Sequence, residues 1–149
     1  MPLTNLNFDI TSANAELVLT VGEIFPAGIV LQMFGTDQSA NMDSVEITET
    51  RMGVDGYMAA GYTPVIYPVT VTLEAASPSR FSLSTLWEAM AANKRVYACG
   101  LVAALPSIGE RITWSNGVLK NGVIVPPMRK VLGPTTWLFH FERLERARI

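Results

Sequence analysis

Residues 67–75, YPVTVTLEA, alternate between apolar and polar side chains: Val69, Val71 and Leu73 point one way, Thr70, Thr72 and Glu74 the other. A period of two is that of a strand with one buried and one wet face. The end of the chain repeats the device, with Trp137, Phe139 and Phe141 opposed to Leu138, His140 and Glu142. Residues 15–21 (AELVLTV) and 27–34 (AGIVLQMF, introduced by Pro26 and closed by Gly35) are apolar runs that predict two further strands. Residues 96–105 (VYACGLVAAL) predict a third, continuously apolar one. Asn116-Gly117 and Asn121-Gly122 flank three residues and lie too close together to tip two full hairpins. One is expected to turn and the other to bulge or bend. Asp55-Gly56 supplies another possible turn.

One helix interrupts this pattern. Within residues 82–94, Leu83, Leu86, Trp87, Met90 and Ala91 recur at helical spacing and form one apolar stripe. Ser82 is the expected N-cap, with Ser84 and Thr85 as rivals, since a hydroxyl there accepts a free amide hydrogen of the first turn. Lys94 and Arg95 follow at the negative end of the helix dipole. The expected fold is therefore mainly β: a small antiparallel β-barrel or sandwich with one flanking amphipathic helix and a long protruding hairpin loop. The 149 residues are read as a single domain, with an arm over about residues 36–64 and a C-terminal tail over about residues 143–149.

The arm is the segment this pattern leaves unexplained. GTDQSANMDS is polar and turn-like, VEITET alternates like an exposed ribbon, and RMGVDGYMAAGY is small, flexible and apolar. A solvent loop should be more polar than this. A loosely packed surface hairpin is one reading. The other is a projection that completes a neighbour's surface, because Met and Tyr are enriched in interface cores and Gly and Ala let backbones approach closely.

Composition strengthens the second reading. Hydrophobic residues make up 49% of the chain and charged residues 16%, more apolar material than one small core requires. The net charge of -2, with like charges nowhere blocked outside the alternating tail FERLERARI, argues against a protein that binds nucleic acid by neutralising phosphates. Nothing reaches the ~18 consecutive apolar residues of a membrane helix, and the first ten residues lack the basic-then-apolar order of a secretion signal. Cys99 is the lone cysteine, so no intrachain disulfide is possible, and its apolar setting suits a buried thiol better than a nucleophile. A reducing cytoplasm is the expected site of folding.

Catalytic chemistry finds few supports. His140 is the single histidine, placed between two inward phenylalanines, and reads as a surface or interface residue. Asp43, Glu46, Glu49 and Asp55 read as a solvated face rather than paired catalytic carboxylates. The glycines of MGVDGYMAAG do not have the spacing of a phosphate loop, and no metal-ligand spacing or cofactor motif is present. The chain is read as non-enzymatic, with no cofactor.

A polar loop leading into SVEITETRMGVDGYMAAGYTPVIYPVTVTLEAASPS, then LSTLWEAMAANK, then TTWLFHFERL resembles, in that order, the tail tube proteins of contractile-tailed bacteriophages from about Ala15 onward. Baseplate tube initiators, terminator rings and type VI secretion tube proteins share that architecture. The resemblance implies homohexameric rings stacked into a tube, a conduit for DNA ejection located in the virion's tail and assembled in the host cytoplasm. It implies sheath, tape-measure and baseplate proteins as partners, DNA passing without specific binding, and no membrane. By matching position, residues 44–64 would be the arm that reaches a neighbouring subunit or ring, with Met52, Val54, Tyr57 and Met58 as contacts. Glu46, Glu49, Thr70, Thr72 and Glu74 are the candidates for the lumen-facing side. A tube initiator or terminator ring is the alternative within the class, and a small-ligand-binding β-barrel the alternative outside it.

Overall fold

The computed structural model describes residues 16–31 and 40–148. The last part of the predicted strand at 27–34, the start of the predicted arm and the N-terminal residues lie outside them. Strands β1 (Glu16–Val21) and β2 (Phe25–Val30) form an antiparallel hairpin. After them come β3 (Ala40–Met42), β4 (Thr48–Met52), β5 (Met58–Tyr62) and β6 (Tyr67–Leu73). Helix α1 (Pro78–Asn93) precedes β7 (Cys99–Leu105), β8 (Glu110–Gly122) and β9 (Thr135–Arg148). Seven strands make one sheet in the order β2-β1-β7-β8-β9-β6-β3, antiparallel throughout, while β4 and β5 pair only with each other.

The sheet does not close into a barrel. It folds around a single cluster, in the manner of a sandwich. Leu17, Leu19 and Val21 of β1, Leu101 of β7, Val69, Val71 and Leu73 of β6, and Trp137, Phe139 and Phe141 of β9 share that cluster with Leu83 and Leu86 of α1. The period-two reading of β6 and β9 is therefore correct in face, and the two strands pair with Val69 opposite Phe139 and Val71 opposite Trp137. Burial of one such large ring is worth roughly 3–5 kcal/mol against alanine.

Both Asn-Gly pairs lie inside the long strand β8, and neither makes a hairpin. Each marks a bulge: the register slips opposite β7 around Asn116 and opposite β9 at Lys120. Asn116 takes the left-handed conformation (φ 57°), one that asparagine tolerates better than most residues, and its side chain hydrogen-bonds Glu142. The glycines have a different task. Gly117 stands opposite Phe141 and Gly122 opposite Trp137. A Cβ on Gly117 would come within 2.6 Å of the His140 carbonyl and inside the Phe141 ring, and one on Gly122 would enter the Trp137 ring. The rings of β9 lie across the bare backbone of β8.

Other expectations need correction. The helix starts at Pro78, four residues before the expected Ser82, and its N-cap is Ser77, whose Oγ accepts from the amide of Ser79 at 3.2 Å. Proline at the first helical position costs no hydrogen bond, so SPSR is the starting signal. The stripe is narrower than expected: Leu83 and Leu86 are buried, whereas Trp87 and Ala91 are exposed. Strand β2 begins at Phe25 and carries Pro26 within it, which an edge strand tolerates. Strand β7 begins only at Cys99; before it, Lys94 ends the helix in the left-handed conformation and Arg95 pairs with Glu23. The segment from Arg143 onward continues β9 alongside β8 as an exposed, charged strand.

Two predictions follow from this packing. Gly117→Ala and Gly122→Ala should each cost about 1–3 kcal/mol through displaced rings, read as a lower urea midpoint. Gly61→Ala, where nothing lies within 4 Å, should leave the midpoint nearly unchanged. Burial pushes the Cys99 thiol up to about 11 from 9.0, because the thiolate is poorly solvated there. Above pH 9 the unfolded chain loses this proton while the folded chain keeps it. Stability should therefore fall as pH rises from about 9 to about 11, and this contribution should vanish in Cys99→Ala.

Candidate functional site

The β4–β5 hairpin is built by its turn. The amide of Gly53 donates to the Tyr57 carbonyl at 2.8 Å, and that of Gly56 to the Gly53 carbonyl at 3.0 Å. Gly56 has φ 88°, a conformation costly for any side chain, and Asp55 Oδ1 accepts from the Tyr57 amide at 3.2 Å. The Asp55-Gly56 turn is thus present as read. The ladder runs from Met52 opposite Met58 to Thr48 opposite Tyr62, and the Thr63 amide extends it to the Ile47 carbonyl at 2.9 Å.

Every residue of both strands is exposed. Directly opposed residues in an antiparallel pair share a face. One face of the arm therefore carries Met52, Met58, Ala60 and Tyr62 together with Thr48 and Thr50, and the other carries Glu49, Arg51, Ala59 and Gly61. At the tip Val54 and Tyr57 are bare, with Tyr57 77% exposed. A lone two-stranded ribbon is at best marginally stable in water. This one presents a mainly apolar face with nothing on it among the described residues. The four contact candidates, Met52, Val54, Tyr57 and Met58, come together at the arm's end.

The five lumen candidates do not come together as one row. Thr70 and Thr72 lie on the outward face of β6, and Glu74 follows that strand. Glu49 belongs to β4 and Glu46 precedes it. Across the outward face, Thr136, Leu138 and His140 of β9 neighbour Thr72, Thr70 and Pro68 of β6. Desolvation, followed by repulsion from Lys120, lowers the His140 pKa and so disfavours a positive charge on that face.

Two further features escaped the sequence reading. Residue 40 onward rejoins the main sheet: Ala40–Met42 pairs with β6, so the departure from regular structure is shorter than expected. Between β8 and β9, residues 123–134 expose Val125, Met128, Val131 and Leu132, with Met128 82% exposed. The signal was VIVPPMRKVLGP, in which three prolines stop either strand from continuing and leave apolar side chains on a loop. Among the described residues no group of His, Cys, Asp or Glu is arranged to hold a metal, and no helix is long and apolar enough to cross a membrane.

The family model for tail fiber protein gp32 matches residues 8–145. No curated protein matches the sequence. Among solved structures, a chain in the sheath–tube complex of an extracellular contractile injection system (PVC, extended state) superposes with a TM-score of 0.63. Its identity is 9%, and the match covers 100% of this chain and 99% of that one. A chain in the terminating cap of the anti-feeding prophage tube gives 0.59 at 11% identity, over 100% of this chain and 93% of the other. One in the anti-feeding prophage baseplate gives 0.58 at 10%, over 90% and 92%. At such identities the likeness is one of fold. The chain belongs to the tail fiber protein gp32 family and has the fold of contractile-tail tube-like proteins.

Proposed function

We propose that the chain is a structural subunit of a contractile tail's tube, closing into homohexameric rings that stack and enclose a passage for DNA. The observation that carries this reading is the exposed arm together with an unfinished sheet. Among the described residues β2 and β3 have no strand on their outer sides, and unpaired edges invite another chain. Two unlike edges on one subunit suit a head-to-tail contact, which closes into a ring when the rotation permits and stacks when an arm reaches the next layer. The full-length likeness to a chain of a sheath–tube complex supports the same assembly.

In this reading Met52, Val54, Tyr57 and Met58 make the contact to a neighbouring subunit or ring. The outward face, with Thr70 and Thr72, lines the passage; Glu74 lies at its margin, and Glu46 and Glu49 join it through the arm. A neutral-to-acidic lining lets DNA slide, because cations that displaced its counterions would hold it. Partners are then other copies of the chain, with sheath, tape-measure and baseplate proteins, and the role is mechanical, not catalytic. A ring that starts or ends the tube is the second reading, favoured by the nearly equal likeness to baseplate and cap chains. A ligand-binding barrel is opposed by an interior filled with Trp137, Phe139 and Phe141, each at most 1% exposed.

Negative-stain electron microscopy of the purified chain over a concentration series tests the assembly. Hollow six-fold rings or tubes are expected, and deletion of residues 52–62 should leave rings without stacks. Compact single particles at every concentration would contradict the reading.

A further inference from the structure

The two halves of the chain carry opposite charge. Residues 1–79 hold nine acidic residues and one basic, net -8, whereas residues 80–149 hold four acidic and ten basic, net +6. The arm region shares the first sign: in residues 43–64, Asp43, Glu46, Glu49 and Asp55 face a single Arg51. The basic half gathers part of its charge around a groove at the C-terminal end of α1. Trp87, Met90 and Val96 supply an apolar floor, Lys94, Arg95 and Lys120 surround it, and the space is about 360 Å³. Trp87 is 40% and Val96 63% exposed. Glu23 pairs with Arg95, whose guanidinium also lies 4.6 Å above the Tyr97 ring, so Arg95 is a fixed wall while Lys94 and Lys120 set the groove's charge.

We propose that this groove receives the arm of a second copy of the chain. The assignment rests on the ring-forming reading above and names the surface that the arm meets. Charge, chemistry and shape agree. A hairpin with Met52, Met58 and Tyr62 on one face and the Asp55 carboxylate at its tip matches a basic rim around an apolar floor. The helix's C-terminal end is itself partly negative and would repel such a guest, but Lys94 at the C-cap offsets it. The other basic, apolar surface, around Arg129 and Lys130, is a poorer host. Met128 and Val131 there are 82% and 81% exposed, so they stand out from the surface instead of enclosing a side chain. Within one chain the arm's strands are wholly exposed, so the arm is not seated on its own groove. Arm on one subunit and groove on the next make a contact between unlike patches, the kind that propagates. Beyond a Debye length of about 8 Å at physiological salt the charges steer little, so the rim acts in docking and register while the floor holds the arm.

Sedimentation velocity on the full-length chain tests this. Lys94→Glu with Lys120→Glu, and separately Asp55→Lys at the arm's tip, should each raise the concentration for half-assembly about tenfold or more, since like charges then face each other. An equimolar mixture of the two variants should recover assembly, because each groove then meets an arm of opposite sign. Should a charge variant fail to fold by circular dichroism, oxidation of a mixture of Val54→Cys chains with Val96→Cys chains decides, with interchain dimers expected. Wild-type rings that ignore the charge changes, variants that the mixture does not rescue, or failure of the cysteine pair to join would overturn the docking assignment alone. A wild-type chain that stays monomeric would overturn the ring reading and this inference with it.

Discussion

The aromatic row of β9 lying across the bare glycines of β8 is the contact on which the rest of the structure depends. Trp137, Phe139 and Phe141 are all but sealed from solvent, and Gly117 and Gly122 are where two of those rings cross the neighbouring backbone. Phe139 and Phe141 stack at 6.0 Å, and Trp114 of β8 approaches Phe141 at 6.3 Å. The indole of Trp137 donates to Thr135 Oγ1 at 3.1 Å, and that hydroxyl in turn reaches the Leu73 carbonyl at 3.4 Å, so the large buried ring leaves no polar atom wanting. Strands of 13 and 14 residues can then run together with β6 on one side and β7 on the other. Each bulge adds twist, which a wide sheet needs if it is to fold around a core.

A body organised in this way leaves its outer strands and its arm outside the packing. Among the described residues, Tyr67–Leu73 is the last well-buried strand before the sheet ends at the three-residue β3, and β2 closes the other side with its alternation nearly lost. Among the described residues, the hairpin β4–β5 contributes nothing to the core. Its ladder is held by backbone hydrogen bonds and one well-made turn, and among the described residues nothing covers its apolar side chains. An apolar projection kept at that cost makes physical sense when another surface covers it, which is why the exposed arm, the open edges and the basic groove on α1 are read together as parts of one repeating contact.

The strands that bury one face were legible because alternation is a strong signal: β6 and β9 could be placed on their correct faces from Val69, Val71, Trp137 and Phe139. The arm and its Asp55-Gly56 turn were legible for a similar reason, since a glycine-rich apolar ribbon fits no core. The Asn-Gly pairs misled because turn and bulge demand the same backbone freedom, and only the partner strand, with Phe141 and Trp137 waiting above Gly117 and Gly122, decides between them. The helix start was missed because Pro78 looked like a break, although at the first position it is harmless. Trp87 joined the predicted stripe by spacing, yet spacing alone does not say how wide a face the sheet will cover. The groove around Lys94 and Lys120 joins residues from a helix end and a distant strand, a juxtaposition that no local pattern carries.

Hydrogen–deuterium exchange on the wild-type chain, compared between dilute protein and assembled particles, addresses the central claim that the unfinished sheet is completed by neighbours. The account predicts that amides of β2 and β3, together with those of the β4–β5 arm, exchange quickly in the dilute chain and become protected on assembly, while those of β8 and β9 are protected in both. Assembled particles in which β2, β3 and the arm exchange as fast as in the free chain would contradict it.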